Sequence, residues 1–419
     1  MLVLTFLFLS PGLSLYAQPY GGRGDALTLK LAVIGPGDEL YFWWGHIGLV
    51  VEDQITGQSR FFDWGVFSFE NENFFVNFAF GRLIYSCAVS PAELNYNHYI
   101  RTNRDITLYT LDLPPDKKEA VLHFAENNVL PGNRDYQYHH FRDNCATRIR
   151  DILDMAVDGQ FSGVYGSAPG RFTLRQHVRR HTWFSPFFDW LLNFLMGQNI
   201  DQPITVWDDM FLPSELPRNL QEFRYTDSGG NTRNIISSVE VLNRAVGRPQ
   251  ALGIPRLQWP VELAWSLVLS CLLLISYFLW GKRLRYRPFL GIVHAFLGLF
   301  FGISGSALFF MTFFTNHDYC YNNSNILFVN PLLLAAVPLG LLFAFTENRR
   351  KQFVAGRLLR FLWTFILLGN FLTMVIKLSP SFYQQNQVTQ FMILPLTLAL
   401  IFIMVHMSFS EQSRMVEKN

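Results

Sequence analysis

One histidine and one cysteine of this 419-residue sequence stand where side chains of their type do chemistry. His46 opens an apolar run at strand length, and Cys145 begins a segment whose apolar residues recur with helical spacing. A thiol in the first turn of a helix is favoured as a thiolate by the helix dipole and by a nearby imidazolium. A thiolate attacks an ester or amide carbonyl while a histidine carries the proton, so the pair predicts nucleophilic catalysis. The alternative is that both residues are packing material.

The third member of such a site is a polar group that orients the histidine. We predict that Asp63, on the strand after His46, takes this role if the two strands pair antiparallel. His139 and His140 precede the nucleophile and are the alternatives, either as the orienting group or as metal ligands. Two adjacent histidines without a further ligand pattern are a weak zinc signal, so we predict no metal. Backbone N–H groups at the helix start, including that of Cys145, would form the oxyanion hole.

Further side chains near the cysteine are candidates for contacting the substrate or supporting the site, with packing as the alternative for each. They are Tyr136, His140, Asp143 and Asn144. A group of phenylalanines is expected in the core, although an acyl-chain groove would need the same residue type. They are Phe74, Phe75, Phe78 and Phe80.

The elements that would hold these residues belong to an exported domain, which we predict to span residues 18–225. Strand-length segments dominate its first half, and helices are predicted over 116–127 and 144–155. Strands followed by helices indicate an α+β domain. Residues 226–258 are polar, and we predict a linker or a peripheral segment there.

Residues 259–419 are predicted to be an all-α membrane domain of five transmembrane helices. Each is an apolar stretch near the length that crosses a hydrocarbon core, over 263–280, 289–314, 326–345, 361–376 and 391–409. The loops after the first and third spans are rich in Lys and Arg, whereas the loops after the second and fourth hold a single Lys between them. Because positive loops stay inside, we expect the N-terminal domain outside and the C-terminus in the cytoplasm.

Composition supports a chain that is partly in lipid. Half of the residues are hydrophobic and 16% are charged, against about a quarter charged in a typical soluble protein. Residues 259–419 carry 12 Lys/Arg and 5 Asp/Glu, a net charge of +7, and the preceding part carries 22 and 27, a net charge of −5. A slightly acidic exported part gives no electrostatic case for nucleic acid.

The N-terminal residues predict export. Residues 1–17 are mostly apolar and end at Leu15-Tyr16-Ala17, which is typical of a signal peptide cleaved after Ala17. An uncleaved anchor helix is the alternative. The cysteines are too few and too scattered for a disulfide framework, and one of them can instead be kept for chemistry. They are Cys87, Cys145, Cys271 and Cys320.

These motifs resemble two related groups of proteins. Gly45-His46 on a strand, followed later by Asn144-Cys145 at a helix start, resembles circularly permuted papain-like proteins such as NlpC-type hydrolases and lecithin:retinol acyltransferases. A closer resemblance covers nearly the whole chain. The segments Trp44-Gly45-His46, Phe78-Ala79-Phe80-Gly81 with Tyr85, and Asp143 through Asp151 look like the periplasmic domain of Lnb-type lipoprotein N-acyltransferases, which append a multi-span membrane region.

The resemblance implies a thiol-dependent acyltransferase of the bacterial inner membrane that needs no cofactor. It would move an acyl chain from a membrane phospholipid, through a thioester on Cys145, to the α-amine of the lipidated N-terminal cysteine of a diacylated lipoprotein, with His46 as the proton carrier. The main alternative is a membrane-anchored periplasmic cysteine peptidase or amidase that uses the same pair. A non-enzymatic membrane assembly or binding protein is the third.

The loop after the second span, residues 315–325, also looks like the family's pattern. His317 and Asp318 in this loop are expected to line the route of the lipid or to hold the catalytic domain down on the membrane. The alternative is an ordinary polar loop.

Overall fold

The computed structural model describes residues 23–416 except 68–72, 249–250, 252, 282 and 284–285. The predicted signal peptide, residues 1–17, lies outside the described residues. The described chain is a mixed α+β domain followed by an all-helical region with five candidate membrane spans, which confirms the predicted fold class.

Seven strands of the N-terminal domain form one sheet. The strands of the chain are β1 (Leu27–Ile34), β2 (His46–Asp53), β3 (Gln58–Val66), β4 (Ile84–Pro91), β5 (Ile106–Leu111), β6 (Asp135–Gln137), β7 (Arg224–Thr226), β8 (Thr232–Asn234) and β9 (Ile236–Asn243). The sheet has the order β6-β4-β3-β2-β1-β5-β9, and every neighbouring pair is antiparallel. Strands β7 and β8 form a separate two-stranded ribbon.

Nine helices are described in the N-terminal part of the chain. They are α1 (Phe74–Ala79), α2 (Ala92–Arg101), α3 (Pro115–Asn128), α4 (Cys145–Ala156), α5 (Gln160–Tyr165), α6 (Leu174–Thr182), α7 (Pro186–Leu195), α8 (Val206–Asp209) and α9 (Glu215–Leu220). Helices α3 and α4 correspond to the two helices predicted from the sequence.

The alternation of side chains along each strand divides the helices between the two faces of the sheet. On β1, Leu29 and Leu31 are fully buried in the core that also holds the apolar residues of α3 and α4. Ala32 and Ile34 point the other way and pack with Tyr99 of α2. Helix α4 therefore packs on the face of the sheet from which Leu29 and Leu31 project.

The segment predicted as a linker or peripheral segment, residues 226–258, contributes to the sheet. Residues Ile236–Asn243 are β9, which pairs with β5 and forms one edge of the sheet. The strand is exposed or half-buried along its whole length. An edge strand with one solvated face carries polar residues, so its composition resembles that of a linker. The sheet thus continues beyond the predicted boundary at residue 225.

The membrane region contains five helical segments that are long and apolar enough to span a bilayer: Trp259–Trp280, Tyr286–Phe314, Ser324–Phe345, Arg349–Ile376 and Gln387–Ser408. Their α-helices are α10 (Trp259–Trp280), α11 (Tyr286–Phe314), α12 (Ala336–Phe345), α13 (Arg349–Ile376) and α14 (Gln387–Val416). The third segment begins with short 3-10 turns before α12.

Two loops of the membrane region hold the N-terminal domain. In the loop after α11, the carbonyl of Tyr319 accepts a hydrogen bond from the backbone N–H of Gly197 at 2.8 Å. In the loop after α13, Nε2 of Gln384 donates to the carbonyl of Met196 at 3.1 Å. Both loops therefore lie on the same side of the spans as the N-terminal domain, as the charge pattern predicts.

Candidate active site

Cys145 is the first residue of α4 because Asn144 caps the helix. The side-chain oxygen of Asn144 accepts from the backbone N–H groups of Ala146 and Thr147 at 2.9 and 3.0 Å. The Thr147 hydroxyl accepts in return from the N–H of Asn144 at 2.8 Å, which completes a capping box. The amide of Asn144 also donates to the carbonyls of His140 and Phe211. Asn144 is thus fully engaged in positioning the first turn that carries the thiol.

The surroundings of Cys145 suit a nucleophile that is shielded from bulk water. The residue is buried, with 8% of its surface exposed. Within the described part of the chain, its backbone N–H has no hydrogen-bond acceptor, whereas the N–H groups of the next two residues are used by the cap. A free N–H beside a thiol at a helix start is available to a developing oxyanion.

His46 and Asp63 are joined by a hydrogen bond across neighbouring strands. His46 is the first residue of β2, and its Nε2 lies 2.7 Å from Oδ1 of Asp63 on β3. Burial alone would lower the pKa of His46, but the negative charges of Asp63 and Cys145 outweigh burial and hold that pKa well above its usual value. The bond occupies Nε2 and leaves Nδ1 of the imidazole available to a second partner.

Gly65 lies beside both Cys145 and His46, and no motif in the sequence points to it. A Cβ built on Gly65 would lie 4.0 Å from Cβ of Cys145 and 4.0 Å from Cε1 of His46. Its φ of +109° is a backbone conformation that residues other than glycine rarely adopt. The pairing of β3 with β4 shifts register between Trp64 and Val66. A glycine at the end of a strand pattern is the sequence signal for such an irregularity.

Tyr136 lies on β6 beside the helix start. The guanidinium of Arg148 lies 4.0 Å from the centre of the Tyr136 ring, and Asp143 holds that guanidinium with two hydrogen bonds of 2.5 and 2.9 Å. The Tyr136 hydroxyl is buried and has no hydrogen-bond partner among the described residues. Burial raises the pKa of Tyr136 most, and the negative charge of Cys145 raises it further. The hydroxyl therefore keeps its proton and remains a donor. Asp143 supports Tyr136 through Arg148.

Neither of the two alternatives to Asp63 bonds to His46 within the described part of the chain. Nδ1 of His139 accepts from two backbone N–H groups, and its Nε2 lies 2.8 Å from Oδ1 of Asp318. The ring of His140 packs edge-on against Trp44 at 5.0 Å. Burial, followed by the charge of nearby histidines, lowers the pKa of His140 to about 4, so this ring is neutral at physiological pH. Asp63 is the residue that the structure brings to His46.

His317 and Asp318 both contact the N-terminal domain. Nε2 of His317 lies 3.0 Å from the carbonyl oxygen of Phe78, and its Nδ1 lies 2.8 Å from the Tyr319 hydroxyl. Asp318 accepts from His139 and also pairs with Arg142 at 3.2 Å. These contacts give both residues a place in holding the domain against the membrane region.

The described residues contain no group of three or more His, Cys, Asp or Glu side chains arranged to hold a metal ion. All four cysteines are free, and Cys145, Cys87 and Cys320 are buried. Burial is the largest cause that raises the pKa of both Cys87 and Cys320 to about 12. These two thiols therefore stay protonated in the neutral range.

The fold and the site together describe a five-span membrane protein whose α+β domain brings a cysteine at a helix start close to a histidine–aspartate pair. Residues 23–180 match the family model described as the Lnb N-terminal periplasmic domain. This part of the chain belongs to that domain family, as the sequence motifs indicate. No curated protein and no solved structure matches the chain significantly.

Proposed function

We propose that the protein is a thiol-dependent lipoprotein N-acyltransferase. It would move a fatty acyl chain from a membrane phospholipid to the N-terminal amine of the lipidated cysteine of an exported diacylated lipoprotein. The observation that supports this most is the position of the helix start that carries Cys145, which lies close to the His46–Asp63 pair and is tied to the loop at the end of α11.

In the first half-reaction, the thiolate of Cys145 attacks the ester carbonyl of the phospholipid. A C–S bond forms, and the carbonyl oxygen becomes a tetrahedral oxyanion. When the intermediate collapses, the C–O bond to glycerol breaks, and His46 gives its proton to the departing alkoxide. The products are an acyl thioester on Cys145, a lysophospholipid and a neutral His46.

In the second half-reaction, the α-amine of the lipoprotein attacks the thioester. His46 accepts the proton from the attacking nitrogen, the C–N bond forms, and the C–S bond breaks to restore the thiolate of Cys145. Asp63 holds the imidazole by Nε2 throughout, so that Nδ1 exchanges the proton with the reacting groups. The N-acylated lipoprotein then leaves.

Two donors near Cys145 are suited to the oxyanion. The backbone N–H of Cys145 has no acceptor within the described chain, and the buried Tyr136 hydroxyl likewise lacks a partner there. A buried donor without an acceptor is costly unless a ligand supplies one. An oxyanion that forms in the transition state would satisfy both groups, and this is the differential stabilisation that catalysis requires.

The attachment to the membrane region favours a lipid substrate over a cell-wall peptide. His139 precedes Cys145 by a few residues and bonds to Asp318, which lies just past the end of α11 at Phe314. A thiol held this close to the end of a span is within reach of ester groups at the bilayer surface. A peptidase of the periplasm has no need for such an attachment.

We also propose that the N-terminal domain faces the periplasm of the inner membrane and that the C-terminus is cytoplasmic. The Lys- and Arg-rich loops after the first and third spans support this orientation. An enzyme reporter fused after Gln390 is then expected to report outside, and one fused after Arg350 inside. The opposite pattern would place the site on the wrong side for exported lipoproteins.

Mass spectrometry of lipoprotein N-termini tests the proposed function in cells. Cells with the protein should yield triacylated N-terminal peptides, and cells with Cys145→Ser should yield diacylated peptides with a free amine. Cys87→Ser is the matched control, because Cys87 is another buried thiol in the same core and its variant should behave as the wild type. Equal N-acylation in the Cys145→Ser cells would refute the proposal.

A further inference from the structure

Helix α1 is apolar, and most of its side chains are exposed to the surroundings of the protein. Its sequence, Phe-Phe-Val-Asn-Phe-Ala, has no charged residue, and none of its residues is buried. Phe75 is 71% exposed, Val76 55% and Phe78 52%. A soluble surface rarely presents large apolar side chains side by side, and such a patch marks a site of interaction with protein or membrane.

The position of α1 identifies the surface that it faces. The backbone N–H of Asn316 donates to the carbonyl of Phe80 at 2.8 Å, and the ring of Phe80 packs on Phe310 of α11 at 5.4 Å. Gly81 fits so closely that a Cβ there would lie 2.8 Å from the backbone of Asn316. Helix α1 therefore lies at the outer end of α11. The last residues of that span, Phe313 and Phe314, are themselves 60% exposed.

A column of stacked aromatic rings leads from α1 to the site. Phe78 stacks on Phe74 with ring centres 6.1 Å apart, and Phe74 stacks on Phe67 at 6.0 Å. Phe67 stacks on Tyr85 at 4.9 Å, and Tyr85 stacks on Tyr138 at 4.2 Å. The planes within each of these pairs are tilted by 26° or less.

The column ends beside the reacting groups. Phe67 follows Gly65 by two residues. The Cβ position of Gly65 lies 4.0 Å from Cβ of Cys145 and 4.0 Å from Cε1 of His46. Tyr138, at the other end of the column, is on the segment that leads into the helix start of Cys145. Burial raises the pKa of Tyr138, and the negative charge of Cys145 raises it further.

We propose that α1 lies in the outer leaflet of the bilayer and that the aromatic column from Phe78 to Tyr138 guides a long acyl chain from there to Cys145. The route rests on the proposed acyl transfer, whereas the position of α1 in lipid does not. The apolar surface of α1 adjoins the apolar surface at the end of α11, where Phe80 packs on Phe310. This arrangement argues for lipid rather than a protein partner. Short apolar helices beside aromatic residues are suited to the interface between headgroups and acyl chains.

Spin labelling tests the membrane position without any use of activity. The full chain with Cys145→Ser and Cys271→Ser is reconstituted in nanodiscs of phosphatidylethanolamine and phosphatidylglycerol, and Phe75→Cys carries the nitroxide. Ile55→Cys is the matched control, because Ile55 is also 71% exposed but lies in the turn between β2 and β3.

The label at position 75 should collide with oxygen more than with a water-soluble nickel chelate, and the label at position 55 should show the reverse. Equal access of the nickel chelate to both labels would overturn the proposal. Exclusion of both reagents from position 75 would overturn it too, because protein rather than lipid would then cover α1.

Chain-length dependence tests the route. Phe74→Ala should slow acylation of Cys145 by dipalmitoyl phospholipid about tenfold, while its effect on acylation by p-nitrophenyl butyrate should be several times smaller. Ile55→Ala should change neither rate. Equal slowing with both donors would overturn the route. A wild-type protein that takes butyrate but never phospholipid would overturn the proposed function itself, and the spin label would still decide whether α1 lies in lipid.

Discussion

Nε2 of His46 and Oδ1 of Asp63 lie 2.7 Å apart across the antiparallel pair of strands β2 and β3. The bond fixes the ring and directs Nδ1 away from the carboxylate. It also places a negative charge next to an imidazole that burial would otherwise keep neutral. The protonation state of His46 therefore depends on Asp63, although Asp63 touches no substrate in the proposed mechanism.

Asp63→Asn should reduce acylation by about a hundredfold and move its pH dependence. Acylation needs the protonated His46 as donor, so its rate falls as pH rises through the pKa of His46. Because the carboxylate helps to hold that pKa above its usual value, its loss should shift the falling limb to lower pH. Rapid-quench measurement of acyl-enzyme formation between pH 5 and 10 gives the pH at which the acylation rate falls. An unshifted limb would show that Asp63 does not control His46.

The same substitution should alter the pH dependence of stability. A histidine whose pKa is raised in the folded state stabilises the fold fully below its unfolded pKa of about 6.5, and this contribution is lost as pH rises through the raised value. The wild type should therefore exceed Asp63→Asn in thermal stability at low pH, with the difference shrinking at high pH. A constant difference would argue against a raised pKa for His46.

Gly65→Ala should impair acylation more than it impairs folding. A side chain at this position occupies a strained backbone conformation and points between Cys145 and His46. The strain costs about 1–3 kcal/mol, and a small displacement of either reacting group has a larger effect on rate. Gly57→Ala is the control, because Gly57 also has a positive φ of 67° but no atom lies within 4 Å of its Cβ position. Equal loss of activity in both variants would remove Gly65 from the account.

Asp318→Ala should loosen the N-terminal domain from the membrane region. The His139 ring would lose its acceptor, at a cost of about 1–3 kcal/mol. The effect should appear as faster limited proteolysis in the loop 315–325 and as a lower melting temperature in detergent. Asp158→Ala is the control, because it removes a more exposed ion pair with Lys117 that lies within the N-terminal domain. No difference between the two variants would mean that Asp318 does not hold the domain.

The sequence predicted the parts of this site that depend on local patterns. The five spans follow from the length of apolar chain that a bilayer requires. The helix start at Cys145 follows from the capping preference that Asp143 and Asn144 share, and the strand at His46 from its apolar run. The Asp63 pairing needed only the assumption that consecutive strands are antiparallel neighbours, which is the common arrangement.

The features that the sequence did not predict depend on contacts between distant segments. His139 and Asp318 are 179 positions apart, and no local pattern connects them. The aromatic column draws Phe67, Tyr85 and Tyr138 from three separate segments, and each alone has the appearance of a core residue. Strand β9 has the polar composition of a linker or peripheral segment, because an exposed edge strand keeps one face in solvent.

The most direct test of the account is a search for an acyl group on Cys145 of the purified protein. Given phospholipid without an acceptor, the protein should gain the mass of one fatty acyl chain on Cys145, and hydroxylamine should release it. Lysophospholipid should appear in a burst no larger than the amount of enzyme, and a diacylated lipopeptide with a free α-amine should then discharge the thioester. Continuous phospholipid hydrolysis without a thioester, or cleavage of a cell-wall peptide by a protein that phospholipid never acylates, would contradict the account.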